Sequence, residues 1–320
     1  AKFNNAETKM FKILVADFLS EEGINILKSS KDFIVDVRVG LKPPDLKAIV
    51  GDYDALVVRS ATKVTQEVIE AGAKLKIIGR AGVGLDNVDL KAATAKGIIV
   101  MNTPGGNTIS TAEHTMSMIL SLSRSIPQAN QSMKKNEWRR KDFMGVELYN
   151  KTIGIIGLGR IGTEVAKRCL SFGMRVKAYD PFLSKEVADQ LGIELIKLDE
   201  LYRNTDFITV HVPLTEETTG MIGDKQFEMM KPGARVINCA RGGIIDEAAL
   251  GRALESGKVA GAALDVYVEE PPKDLKLVKF NNVVLTPHLG ASTEEAQINV
   301  AMEVAHQISD ALLGKGIRNA

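Results

Sequence analysis

Short apolar runs and amphipathic stretches alternate along almost the whole chain. In the first third, residues 11–16, 34–37, 55–58, 76–79 and 98–101 read as strands, separated by segments with helical spacing of apolar residues. Strands alternating with helices argue for a parallel sheet covered on both faces. A long helix is expected to begin near Asn107, with Ser110-Thr111-Ala112-Glu113 as a capping box ahead of an apolar run to Leu122. A second alternating series starts at Thr152, with strands expected at 152–156, 175–179, 207–211, 235–238, 259–264 and 283–286. That is enough for a full doubly wound sheet. Residues 292–313 read as one helix opened by Ser292-Thr293-Glu294-Glu295, a second capping box. Since this helix follows the last strand, it is free to return to the first series and make that domain discontinuous. Pro104-Gly105-Gly106 and Thr286-Pro287-His288 are the expected hinge points. Residues 1–9 are polar and read as an extension ahead of the first strand.

The first strand of the second series runs into Gly157-Leu158-Gly159-Arg160-Ile161-Gly162, where an amphipathic helix opens. In a dinucleotide-binding turn the three glycines have separate tasks. Gly157 makes the tight turn, Gly159 lets backbone approach a pyrophosphate, and Gly162 lets the helix pack on the strand, while the helix N-terminus favours the anion. Asp180 stands 18 positions later (180 − 162), at the end of the next strand. A carboxylate there accepts both ribose hydroxyls and repels a 2′-phosphate, so the expected cofactor is NAD rather than NADP. Two similar patterns lack the necessary parts. In Gly79-Arg80-Ala81-Gly82-Val83-Gly84, Asn87 stands where a third glycine is needed, and in 251–258 the glycine spacing is too long for a P-loop and Val259 replaces its Ser/Thr.

Composition narrows the class further. With 320 residues and 45% hydrophobic content the chain can bury two cores, and a net charge of +1 gives no nucleic-acid footprint. Cys169 and Cys239 sit in an apolar helix and an apolar strand, as reduced core thiols of a cytoplasmic protein would. No stretch is apolar enough to span a membrane and no signal-peptide pattern opens the chain. Neither nucleic acid nor membrane is therefore expected as a partner.

Arg241, Glu270 and His288 each follow a strand end of the second series, the edge where open α/β sheets bind ligands. Arg241 offers an always-charged fork suited to a carboxylate. Glu270 lies in the Glu269-Glu270-Pro271-Pro272 turn, and His288 follows a strand directly in a proline turn.

The segments Asn238-Cys239-Ala240-Arg241-Gly242-Gly243-Ile244-Ile245-Asp246, Ala262-Ala263-Leu264-Asp265-Val266, Glu270-Pro271-Pro272 and Thr286-Pro287-His288-Leu289-Gly290-Ala291 closely resemble the NAD-dependent D-2-hydroxyacid dehydrogenases. The likeness runs from about residue 11 to the end. It implies that His288 is the general acid/base, that Glu270 holds its imidazole, and that Arg241 anchors the substrate carboxylate and polarises the carbonyl. The chemistry agrees: oxidising a secondary alcohol needs a base for the hydroxyl proton as hydride leaves carbon. By the same likeness Arg160, Ile161, Val212, Cys239, Ala240, Asp265, Gly290, Ala291 and Val83 line NAD with the glycines and Asp180, Asp265 facing the nicotinamide carboxamide. Val212 and Val83 stand where many members have a hydroxyl residue.

Arg59, Ser60, Lys63, Arg80, Gly82 and Asn107, with the basic run 139–141, are candidates for a second anion at the far end of the substrate, which makes 3-phosphoglycerate the expected small-molecule substrate. The expected architecture is α/β with two doubly wound parallel-sheet domains: a Rossmann NAD-binding domain, 104–288, inserted in a discontinuous flavodoxin-like substrate domain, 1–103 completed by 289–320. The family resemblance also implies a homodimer or homotetramer joined through the nucleotide-binding domain, with the contact expected over 107–136. Related chains continue into a serine-sensing region, whereas this one ends at Ala320, so inhibition by serine is not expected. Two other readings share the motifs: another member such as a glyoxylate reductase, or an NAD-sensing module of the co-repressor kind. Formate dehydrogenases carry Gln where Glu270 stands, which argues against that branch.

Overall fold

The structure, a computed structural model, describes residues 10–320; the expected N-terminal extension lies outside the described residues. The chain divides into two compact units, Ala1–Asn107 with Ser292–Ala320, and Thr108–Ala291. These bounds fall a few residues beyond the expected 103/104 and 288/289.

In the first unit, β1 (Phe11–Val15), β2 (Phe33–Val37), β3 (Ala55–Val58), β4 (Ile77–Arg80) and β5 (Ile99–Asn102) form a parallel sheet in the order β2-β1-β3-β4-β5. Side chains alternate between two cores. Ile13, Val15, Val57 and Ile77 pack with Val300, Val304 and Ile308 of the helix Glu294–Leu312, while Leu14, Leu56, Val58 and Ile78 pack with Val68, Ile69 and Ala93 on the other face. Because both faces are covered, the strands read as nearly continuous apolar runs. The C-terminal helix thus completes the first unit. Its cap is Thr293, one residue later than expected from the capping-box pattern, whose hydroxyl accepts the Ala296 N–H at 3.2 Å.

In the second unit, β6 (Thr152–Ile156), β7 (Arg175–Tyr179), β8 (Glu194–Leu195), β9 (Phe207–Val210), β10 (Ala234–Asn238), β11 (Val259–Leu264) and β12 (Val283–Leu285) form a seven-stranded parallel sheet in the order β12-β11-β10-β9-β6-β7-β8. Six of these match the sequence expectation; β8 is an edge strand of two residues, too short to show a period. The chain order reverses between β6 and β9, the switch point at which such sheets bind ligands. The stretch 107–136 opens with the helix expected from about Asn107. It forms two helices, Thr108–Arg124 and Ile126–Lys134, broken at Ser125, whose φ of 50° and following Pro127 stop a continuous hydrogen-bond ladder. Ser110 and Glu113 lie inside the first of these, because the helix begins as soon as the Pro104–Gly106 run has ended.

Candidate active site

The glycine turn sits at the carboxyl end of β6. Gly157 has φ 93°, and a Cβ on it would stand 2.6 Å from the His211 carbonyl oxygen and 2.8 Å from Val212 Cγ1. A Cβ on Gly162 would collide with the Gly157 carbonyl oxygen, so helix Arg160–Ser171 can approach the strand only with glycine there. Gly159 differs: no protein atom lies within 4 Å of its would-be Cβ, and it caps the helix with no side-chain hydrogen bond. That open backbone at a helix N-terminus fits an incoming pyrophosphate. Arg160 is exposed and Ile161 half-buried beside it. Asp180 follows β7, and its carboxylate accepts the Leu158 N–H at 2.7 Å and the Phe182 N–H at 2.8 Å. It therefore ties the glycine turn to the next strand end, and each oxygen keeps a lone pair for a ribose hydroxyl.

Next to this turn, His211 follows β9, its N–H bonded to the Ile156 carbonyl and its Nε2 2.9 Å from Thr209 Oγ1. Burial pushes its pKa down to about 4, so the ring is neutral at physiological pH. After β10, buried Asn238 organises the turn that presents Arg241: its amide donates to the Arg241 carbonyl at 2.8 Å and accepts the Ala240 N–H at 3.0 Å. A Cβ on Gly242 would overlap the Tyr267 carbonyl oxygen, which presses this turn against the segment after β11. Cys239 is a core thiol, pushed up to about 12 by burial and by Asp265 nearby. It is no nucleophile at neutral pH.

The structure brings Glu270 and His288 together. Glu270 Oε2 lies 2.6 Å from His288 Nδ1, and Glu270 Oε1 accepts the Tyr267 N–H at 3.1 Å. The side chains are 36% and 48% exposed, so a reactant can reach the imidazole, with Nε2 as the nitrogen left for proton exchange. His288 has φ 56°, a left-handed conformation uncommon for a side-chain-bearing residue. Its neighbours hold it there. Fully buried Asp265 accepts Leu289 N–H at 2.8 Å, Gly290 N–H at 2.9 Å and the Thr286 hydroxyl at 2.6 Å, and pairs with His114 Nε2 at 3.1 Å. Burial opposes the charge on Asp265, but these bonds outweigh it and hold its pKa below the usual carboxylate value. Tyr267 adds a hydrogen bond from its hydroxyl to the Thr286 carbonyl at 2.8 Å.

Sequence reasoning missed Asn238, Tyr267, Thr286 and His114 as supports. Their neighbours in sequence carried the motif, but nothing in the order of residues tells which backbone groups a side chain will reach.

The remaining candidates, Arg59, Ser60, Lys63, Arg80, Gly82, Val83 and Asn107, lie in the first unit. Arg59 follows β3 and Arg80 ends β4, both half-buried, with Ser60 and Lys63 exposed on the loop after β3. Arg80 folds its guanidinium over Gly82, where a Cβ would strike it. The basic run in the second unit behaves as ordinary surface: Arg139 pairs with Asp142 at 2.8 Å and Glu137 at 3.5 Å, and Arg140 and Lys141 are exposed.

Residues 116–290 match the profile of the D-isomer specific 2-hydroxyacid dehydrogenase, NAD binding domain. The D-3-phosphoglycerate dehydrogenase of Archaeoglobus fulgidus is 56% identical over 310 residues, 97% of this chain and 59% of that protein. That of Synechocystis is 54% identical over 311 residues, 97% of this chain and 56% of that protein. The chain thus spans little more than half the length of these relatives. Among solved structures, the D-lactate dehydrogenase of Aquifex aeolicus, in complex with NAD and lactic acid, superposes with a TM-score of 0.84 at 31% identity, covering 94% of this chain and 96% of that one.

Proposed function

The chain belongs to the D-isomer specific 2-hydroxyacid dehydrogenase family, and from that premise we propose that it oxidises the C2 hydroxyl of 3-phospho-D-glycerate to 3-phosphohydroxypyruvate with NAD, the first step of serine biosynthesis. The observation that supports this most is the 2.6 Å Glu270–His288 pair at the carboxyl end of the same sheet that carries the nucleotide turn. His288 Nε2 takes the proton from the C2 hydroxyl. Glu270, bound to Nδ1, fixes the tautomer and stabilises the imidazolium that forms. Bound NAD supplies the acceptor for the hydride that leaves C2. Arg241 holds the substrate carboxylate and, as the carbonyl forms, stabilises its oxygen. In the reverse direction His288 returns the proton.

The phosphate is assigned to Arg59, Lys63 and Arg80 of the first unit, with Ser60, Asn107 and the Gly82–Val83 backbone completing the substrate's polar partners. Truncating a group that binds a substrate anion weakens the charged substrate selectively. Turnover across a panel of phosphoglycerate, D-glycerate and D-lactate tests the reading. Phosphoglycerate should give the highest kcat/KM, and Arg59→Ala should raise KM for it alone. NAD binding without turnover of any 2-hydroxyacid would instead identify a binding module. The protein is assigned to the cytoplasm, on its two reduced core thiols, and to a homo-oligomer. Trp138, Met144 and Tyr149 of the second unit, 79%, 90% and 65% exposed, support self-association there, which solution mass measures. No helix among the described residues is long and apolar enough to cross a membrane.

A further inference from the structure

The first unit has its own switch point. Its sheet order reverses between β1 and β3, and the residues that follow those two strands are locked together. Asp17, two residues beyond β1 and only 5% exposed, accepts the Arg59 N–H at 2.6 Å and the Thr62 N–H at 3.1 Å on Oδ2, and the Thr62 hydroxyl at 2.6 Å on Oδ1. From the other side, the Asn87 amide donates to the carbonyls of Arg59 and Thr62, both at 2.6 Å. Two side chains remote in sequence thus bind the donors and the acceptors of a single loop, 59–62. The backbone beside Asp17 also receives the guanidinium, since Arg59 Nη1 donates to the Phe18 carbonyl at 3.3 Å.

This clamp fixes the backbone from which the Arg59 guanidinium extends. Burial depresses the Arg59 pKa and Asp17 opposes that, while Arg59 Nε is buried with no hydrogen-bond partner. A buried donor without a partner is costly and is the kind of group a bound anion satisfies. A guanidinium that must meet a phosphate needs a fixed origin, because each freely rotating bond weakens the contact.

We propose that Asp17 is a positioning residue for the substrate: without touching it, Asp17 holds the 59–62 loop so that Arg59 presents its charge to the phosphate end. The inference rests on the phosphate reading given above. It places a determinant of phosphate recognition on the turn after β1.

Steady-state kinetics of Asp17→Asn, Thr62→Val and Arg59→Ala, each with phosphoglycerate and D-glycerate, tests it. Asp17→Asn should raise KM for phosphoglycerate about tenfold or more, leave kcat within about twofold and leave KM for glycerate unchanged. Thr62→Val, which removes one bond to Asp17 at nearly constant volume, should move KM in the same direction by a smaller factor. It serves as the test should Asp17→Asn not fold. If Arg59→Ala raises KM selectively while Asp17→Asn and Thr62→Val do not, the positioning role is wrong and the phosphate reading stands. If Arg59→Ala changes both substrates alike, the phosphate reading itself fails. Equal falls in kcat for both substrates in the Asp17 and Thr62 variants would show a merely structural residue and overturn the proposal.

Discussion

At the scale of single residues, the site is a set of charged or titratable groups whose neighbours decide their states. His288→Ala should lower kcat by about 10² to 10⁴, the usual worth of a general acid/base, while NAD affinity from fluorescence titration stays near wild type. Asp180, proposed to bind the NAD ribose, also holds the Leu158 and Phe182 amides with its carboxylate. Asp180→Ser should therefore both weaken NAD and narrow the NAD/NADP ratio of kcat/KM; an unchanged ratio would remove Asp180 from the ribose. His211 gives a pH dependence of stability. Its folded pKa of about 4 lies below the ordinary 6.5, so the unfolded chain takes up the proton first and acid favours unfolding. The contribution is full above pH 6.5 and is lost as pH falls toward 4, reaching about 3 kcal/mol at roughly 1.4 kcal/mol per pH unit. Denaturant melts of wild type and His211→Gln should diverge across that window, with wild type losing more.

At the scale of elements, the turns matter more than the strands they join. Gly162→Ala forces a Cβ into the Gly157 carbonyl and Gly242→Ala forces one into the Tyr267 carbonyl, so each displaces its turn, of the proposed NAD and substrate sites respectively, by moving backbone. The first should cost NAD affinity tenfold or more, and the second should lower kcat/KM with NAD affinity nearly intact; isothermal titration beside steady-state kinetics separates them. The glycine spacing made the first clash legible in advance, because the motif encodes a backbone approach. The Gly242 contact was not legible, since its partner is Tyr267, in a different loop. Helix starts were legible only in part. Thr293 caps where Ser292 was expected, and the Ser110–Glu113 pattern lies inside a helix, because a hydroxyl followed by an acid is as compatible with a helix interior as with its first turn.

At the scale of the molecule, NAD binding should stabilise the unit Thr108–Ala291. At about a hundred times Kd the linkage is worth ~2.7 kcal/mol, a rise in Tm of about 5–10 °C for a unit of this size. Calorimetry with and without NAD measures it, and the rise should shrink in Gly162→Ala. Sequence alone determined the alternation of strands and helices, the glycine turn and the acid that follows it, and it nominated Arg241, Glu270 and His288 for the proposed chemistry. All of these are encoded by local period or by short motifs, whose geometry is set within a few residues. Tertiary structure alone decided which strands, β1 and β4, receive the last helix once it returns to the first unit as expected, that Asp265 and His114 brace the turn of His288, and that Asp17 and Asn87 clamp the loop of Arg59. These contacts join residues dozens to more than a hundred positions apart. They depend on which strand ends the folded sheets place side by side, a relation that no local pattern of apolar and polar residues specifies.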